Sequence, residues 1–407
     1  MKCKIKKSLE YLLLFLILNQ LVIDTLNGFL LFKFNTDAGV SAIYKIIIFC
    51  ICLIYNCFSK NSLICNFLII LYGLIILSIH SIYSTSSNLA MDLSEYIKLA
   101  TTFVIFASVA NFTYFNPQWY IKVLSSYSLL IISINLTFSI LGLGESSYTD
   151  FGFKGFFYAA NALSGVYCII AGITLYISLN AGMKYYWLSS AFLLVCAAGI
   201  GTKTSIIFVA LSIVVLPILV GKKKKNFWTL LVILLSILCF FMVYLEEILN
   251  SSLAERIGHF YGVGGLAKVI FSGRDIFFID NMHSFLNGNI ILFLTGMGFS
   301  GINSFHKPLT EIDIADIAII YGVFTLLLYL ITFLSLLSYE NKFIKLYSPK
   351  KIIVLSTYIG TMLFLVSSIA GHILFNGMVT LYLGVIIALP HWTANYNYML
   401  MRRKINV

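Results

Sequence analysis

Apolar runs of about 20 residues recur along this chain, and a helix of that length crosses the hydrocarbon core of a bilayer. Such runs leave little choice of fold, because a backbone in lipid must satisfy its own hydrogen bonds. Of the 407 residues, 60% are hydrophobic and only 11% charged, outside the range of soluble domains. The pattern predicts an all-α, polytopic integral membrane protein. Twelve spans fit, near 9–32, 41–58, 62–81, 94–114, 120–142, 157–180, 185–200, 205–220, 227–245, 312–338, 352–370 and 373–391. The pair 185–200 and 205–220 is the shortest, with GTKT between its members.

One stretch breaks the pattern. From Glu246 to Asp316 no segment is long enough to cross a bilayer. It holds both Arg residues outside the C-terminal tail, three of the six His and half of the sixteen carboxylates. The chain therefore divides into helices 1–9 over 1–245, a large extracytoplasmic loop over 246–311, and helices 10–12 with a cytoplasmic tail over 312–407.

Lys and Arg orient it. On the side of the N-terminus fall 18 of the 27, including the clusters KKKK at 222–225 and MRRK at 401–404. The positive-inside bias makes that side cytoplasmic, with both termini there and the long loop outside. The net charge of +11 thus needs no nucleic acid. Carboxylates skew the other way: only Glu10 and Glu340 fall in cytoplasmic segments, and Asp24 lies within the first span. Acidic residues contribute little to topology, so function on the outer face is a candidate cause.

The first segment follows MKCKIKK but lacks a small-residue cleavage site, which predicts a retained span rather than a signal peptide. The eight Cys lie in the N-terminal tail or in and beside apolar spans, so they suit small apolar filler better than disulfides or zinc. No cofactor motif is present and no metal site is expected. A second outer loop, GLGESSYTDFGFKGFFYAANALSG, is rich in Gly and Phe and suits partial immersion.

Several residues are able to carry chemistry. Glu311, Asp313 and Asp316 open the tenth span, where carboxylates complement the helix dipole. They are either solvated first-turn charges or, for Glu311 or Asp313, a general base at the membrane surface. Arg274, in FSGRDIFF, suits bidentate phosphate contact, or an ion pair with Asp275 or Asp280. Lys203, in GIGTKTS, is an outer cation between two spans, fit for phosphate or for snorkelling to headgroups. His306 stands close in sequence to Glu311; His283 and His372 are further acid–base candidates, and each His is equally a loop hydrogen-bonder. Lys154 belongs to the second outer loop, and Asn161 opens the sixth span, where Asn ordinarily bonds a neighbouring helix. With no nucleotide site and an outward loop, a substrate should arrive already activated, most plausibly on a lipid.

At GFKGFFYAANALSG, GTKTS, FSGRDIFF, LTGMGFS and EIDIADIAIIYGVFTLLLYL the chain resembles the O-antigen polymerase (Wzy-type) family, within the group that includes the O-antigen ligases. The likeness is architectural over nearly all twelve spans. It implies a membrane-embedded, metal-independent glycosyltransferase of the bacterial cytoplasmic membrane. Such enzymes take a glycan from polyprenyl diphosphate and add it to another lipid-linked repeat unit, for O-antigen or capsule. Arg274 and Lys203 would bind the diphosphate, and one of Glu311, Asp313 and His306 would deprotonate the acceptor hydroxyl. Membrane lipids, a flippase and a chain-length regulator are the implied partners. Ligases of this group commonly open the corresponding helix with a His-Asn pair; by spacing to Gly322, Glu311 stands in that place here, which favours polymerase over ligase. A flippase-type transporter predicts charges along a midplane cavity and paired broken spans, which the sequence does not show.

Overall fold

The computed structural model describes residues 2–36, 38–83, 88–147, 152–221, 274–305, 307–339, 341–369, 371, 373, 374 and 376–405, with Gly258 and Gly262. Among them the chain is almost wholly helical, and nine helices are long and apolar enough to cross a membrane. The first eight helices are α1 (Lys2–Phe34), α2 (Val40–Asn56), α3 (Lys60–Tyr83), α4 (Leu89–Val109), α5 (Pro117–Ile140), α6 (Ala160–Ala181), α7 (Met183–Ile200) and α8 (Lys203–Val220). An antiparallel hairpin, β1 (Glu145–Ser146) and β2 (Phe153–Gly155), joins α5 to α6. Then come α9 (Arg274–Leu286), α10 (Ile290–Thr295), α11 (Asp313–Ser338), α12 (Lys342–Tyr347), α13 (Lys350–Ser367) and α14 (Gly377–Ile405). Helices α2 and α4 are not among the nine: α2 has 17 residues, and α4 carries Asp92, Glu95 and Lys98. The expected ninth span, 227–245, lies outside the described residues, as do 246–257, 259–261 and 263–273 of the expected loop.

The bundle is built around α14. From Met378 to Pro390 every residue of this helix is buried, which suits an element apolar on all faces. It packs against α4, α6, α13, α1 and α5. At the end of the bundle holding the N-terminus, the buried Glu10 carboxylate accepts the N–H groups of Thr113 (3.0 Å), Tyr114 (2.9 Å) and Phe115 (2.8 Å). These amides belong to the turn before α5, which itself starts on an Asn116 cap with Pro117 at its first position. A charge that looks misplaced in an apolar helix thus closes a turn between two others.

The opposite end, the loop end, carries residues 141–147, 152–159, 201–202, 274–305, 307–312, 368, 369, 371, 373, 374 and 376. The hairpin there is docked onto α5: Gly155 N–H donates to Ser139 Oγ and Phe156 N–H to Asn135 Oδ1.

Residues 290–300 run beside α11 instead of standing off as a plain polar loop. Helix α11 is interrupted at Gly322, whose backbone (φ 85°, ψ 163°) is open to glycine and strained for other residues. The interruption leaves carbonyls of the preceding turn without helical partners. Met297 N–H donates to Ile319 O (2.9 Å) and Gly298 N–H to Ile320 O (3.0 Å). A Cβ at Gly322 would overlap the Leu294 carbonyl, and a Cβ at Gly296 the Ile320 carbonyl, so two glycines allow the backbones to meet. The aromatic-Gly step Tyr321-Gly322 and LTGMGFS are therefore two halves of one contact.

Candidate functional site

The start of α11 is unusual in its local chemistry. Thr310 N–H and Oγ1 both donate to Asp316 Oδ1, at 2.8 Å each, and Ile312 N–H donates to Thr310 Oγ1. This closed turn leaves Glu311 bulged outward with a left-handed backbone (φ 60°). Its carbonyl accepts Gly371 N–H (2.8 Å), tying the turn to the segment between α13 and α14. Two residues on, Asp313 is fully buried, and its Oδ2 accepts the N–H groups of Ile373 (2.9 Å) and Leu374 (2.7 Å).

Presented in this way, the Glu311 carboxylate meets two cations. Arg274 Nε lies 2.9 Å from Oε2, and Lys307 Nζ lies 2.7 Å from Oε1. All three side chains are partly exposed, at 16% for Arg274, 24% for Glu311 and 34% for Lys307, so a ligand has access to them. Burial pushes the Glu311 carboxyl upward, but the bonds and charges of Lys307 and Arg274 outweigh that and hold it below its ordinary value. The cluster carries one net positive charge, suited to an anion. Arg274 meets Glu311 through Nε, so its partner among the expected carboxylates is neither Asp275 nor Asp280.

The remaining candidates are placed as follows. Ile373 packs on Gly165 near the start of α6, and Ser164, beside it, shares a 2.6 Å hydrogen bond with Thr202. Thr202 caps α8, whose first residue is the half-buried Lys203. Asn161 is the second residue of α6 and half-buried. A chain of contacts thus runs from Asp313 through Ile373, Gly165 and Ser164 to Thr202, the residue before Lys203. Lys154 lies on β2, with Nζ 4.8 Å from the Phe32 ring centroid and 3.4 Å from the Tyr158 carbonyl. His283 is exposed on α9 and its ring meets Asn287, one turn on. His306 and His372 lie outside the described residues.

Lys307 and His80 are not among the residues that the sequence singles out. His80 is fully buried, donates its Nε2–H to the Thr295 carbonyl (2.9 Å), and lies 4.0 Å from Asp92. Asp92 in turn accepts Ser300 N–H (2.8 Å) and Ser300 Oγ–H (3.0 Å). These residues clamp the segment beside Gly322 onto α3 and α4. No sequence signal marks them, since 208 positions separate Asp92 from Ser300.

No family model matches this chain, and no curated protein matches it.

Proposed function

We propose that this chain polymerises a bacterial surface polysaccharide, O-antigen or capsule, on the outer face of the cytoplasmic membrane. The donor is a glycan on polyprenyl diphosphate, and the acceptor is the sugar of another lipid-linked repeat unit. The observation that carries the reading is the partly exposed Arg274–Glu311–Lys307 cluster at the loop end of an apolar bundle. A net-positive cluster at that level suits a diphosphate whose prenyl chain stays in lipid. The FSGRDIFF motif supplies its arginine and the EIDIAD motif its carboxylate, two of the segments on which the family resemblance rests.

In this mechanism the donor C1–O bond breaks as the acceptor hydroxyl adds at C1, and the lipid diphosphate departs with the electron pair. Arg274, with Lys203 as the second expected cation, stabilises the charge that grows on that leaving group. Glu311 orients Arg274. A carboxylate held low by two cations is a weak base, and Asp313 is occupied by backbone amides. Of the three expected bases, His306 then takes the acceptor proton. The flippase that delivers repeat units and a chain-length regulator remain the proposed partners.

The break at Gly322 favours a second reading, a transporter, because broken spans form transporter sites. Against it, the freed carbonyls of Ile319 and Ile320 are already taken by Met297 and Gly298, and no second span among the described residues is interrupted in this way. A ligase, acting on a different acceptor, is the other alternative. Deleting the gene and resolving the surface polysaccharide by size separates the three. Polymerase predicts a ladder reduced to one anchored repeat unit. Ligase predicts full-length polymer left on the lipid carrier, and transporter predicts single units trapped on the cytoplasmic face.

A further inference from the structure

The end of the bundle that holds the N-terminus, opposite Arg274, carries a cationic surface that the proposed reaction leaves aside. From Asn341 to Val407 the sequence has seven Lys and Arg and no Asp or Glu. All seven side chains are exposed, on the short helix α12, at the start of α13 and at the end of α14. Aromatic rings lock two of these elements together. Tyr398 of α14 packs on Phe343 and Tyr347 of α12, with ring centroids 5.5 and 5.4 Å away, and the two α12 rings are 5.0 Å from each other. Asn397 Nδ2–H donates to the Tyr347 carbonyl (2.9 Å), and Ile344 is the buried residue of α12. Lys342 and Lys345 are thus held outward beside the last turns of α14. There the Arg402 guanidinium lies over the Tyr398 ring, 5.4 Å from its centroid. Arg403 is within electrostatic reach of Tyr114, whose hydroxyl is 2.9 Å from Cys3 Sγ, so the exposed Lys4 and Lys7 of α1 belong to the same end. Apolar side chains are exposed among these cations: Leu346, Met401 and Ile405.

We propose that this surface binds the headgroups of anionic phospholipids. Cations gathered from several elements with no carboxylate between them repel one another, and an anion relieves that repulsion. Charge complementarity therefore selects a headgroup of net negative charge, since a zwitterionic one brings its own cation. The exposed apolar residues select a lipid as the source of the phosphate. A nucleic acid or free phosphate would leave Leu346 and Ile405 in water, whereas the acyl region beneath a headgroup covers them. Tyr and Phe rings at the ends of spans suit the same level of a bilayer. The proposal is independent of polysaccharide synthesis and stands or falls without it.

The test uses the purified full chain in bilayer discs of phosphatidylglycerol and phosphatidylcholine in equal parts. After release into neutral detergent, the lipids that stay on the protein are counted by native mass spectrometry. Phosphatidylglycerol should be retained in excess, and the excess should fall as salt is raised. The pair Arg403→Gln and Lys404→Gln on α14, and the pair Lys342→Gln and Lys345→Gln on α12, should each cut the excess by about fivefold per cation removed. All four side chains are exposed, so both variants should unfold at the parent's temperature, and the salt series on the parent stands apart from any fold defect. No excess in the parent, an excess indifferent to salt, or one that both folded variants keep in full overturns the proposal. Lys60→Gln removes an exposed cation from the start of α3, which packs on α2, α4 and α10. An equal loss per cation in that variant would assign the binding to the charge of the whole face and remove the site. Displacement of the lipid by inorganic phosphate, but not by chloride of equal ionic strength, would assign the surface to a free anion and overturn the proposal as well.

Discussion

Arg274 Nε and Glu311 Oε2 stand 2.9 Å apart although 37 positions separate them. The guanidinium is held at one edge by a carboxylate that is itself pinned through its carbonyl to Gly371. Arg274→Ala should abolish polymer while the protein still accumulates. Arg274→Lys keeps the charge but loses the planar fork, and should cost at least about tenfold in polymer formation. Glu311→Gln leaves Arg274 charged but less firmly placed, and should shorten the polymer without removing it. Immunoblots for the protein beside sized polysaccharide check all three. Normal polymer in Arg274→Ala would take this residue out of the mechanism.

The same pair fixes a pH response. Glu311 titrates below its ordinary 4.5, so the folded protein binds this proton less tightly than the unfolded chain does. Its stabilisation is full above about pH 4.5 and is lost as the pH falls through the lower, folded value. The group is partly exposed, which limits the gain to about 1 kcal/mol. Thermal unfolding of the purified protein and of Glu311→Gln should therefore differ near neutral pH and converge in acid. A gap that widens on acidification contradicts the assignment.

Gly322→Ala should prevent accumulation of the protein. The substitution meets the Leu294 carbonyl and a backbone at φ 85°, and should cost well over about 1 kcal/mol. Gly199→Ala is the control, because a Cβ there meets only Leu136 at 3.9 Å. Detergent-resistant folded yield after expression compares the two.

Glu10→Ala strips the acceptor from three amides of the turn before α5. These amides are part-buried, so each one left unpaired costs at most about 1–3 kcal/mol, and the variant should be destabilised. Glu10→Gln retains an oxygen and should be milder. Residual folded protein after a graded heat step ranks them.

Orientation is open to a labelling test. In a background cleared of exposed Cys3, Cys50 and Cys57, Asn303→Cys should react with a membrane-impermeant thiol reagent and Lys224→Cys should not. The reverse pattern would invert the chain and end the outer-face reading.

Helices were legible because lipid imposes one rule on every span, and apolar runs announce it. Arg274 stood out because an arginine beside a glycine in a polar stretch is conspicuous. Its partner did not: Glu311, Asp275 and Asp280 are equivalent on paper, and only the turn built by Thr310 and Asp316 turns Glu311 toward it. Asp313 was read as a possible base since sequence cannot show two amides, 60 and 61 positions on, already bound to it. Gly322 was noticed as part of a motif, but a glycine in an apolar run does not announce that the helix stops there.

The contact between residues 294–298 and the interruption at Gly322 also bears on biosynthesis. Until Met297 and Gly298 reach them, the Ile319 and Ile320 carbonyls would face lipid without partners. The chain is made from its N-terminus, so the donors leave the ribosome before the acceptors they must meet. The order of synthesis thus makes the partners of the Ile319 and Ile320 carbonyls available before α11 itself is complete.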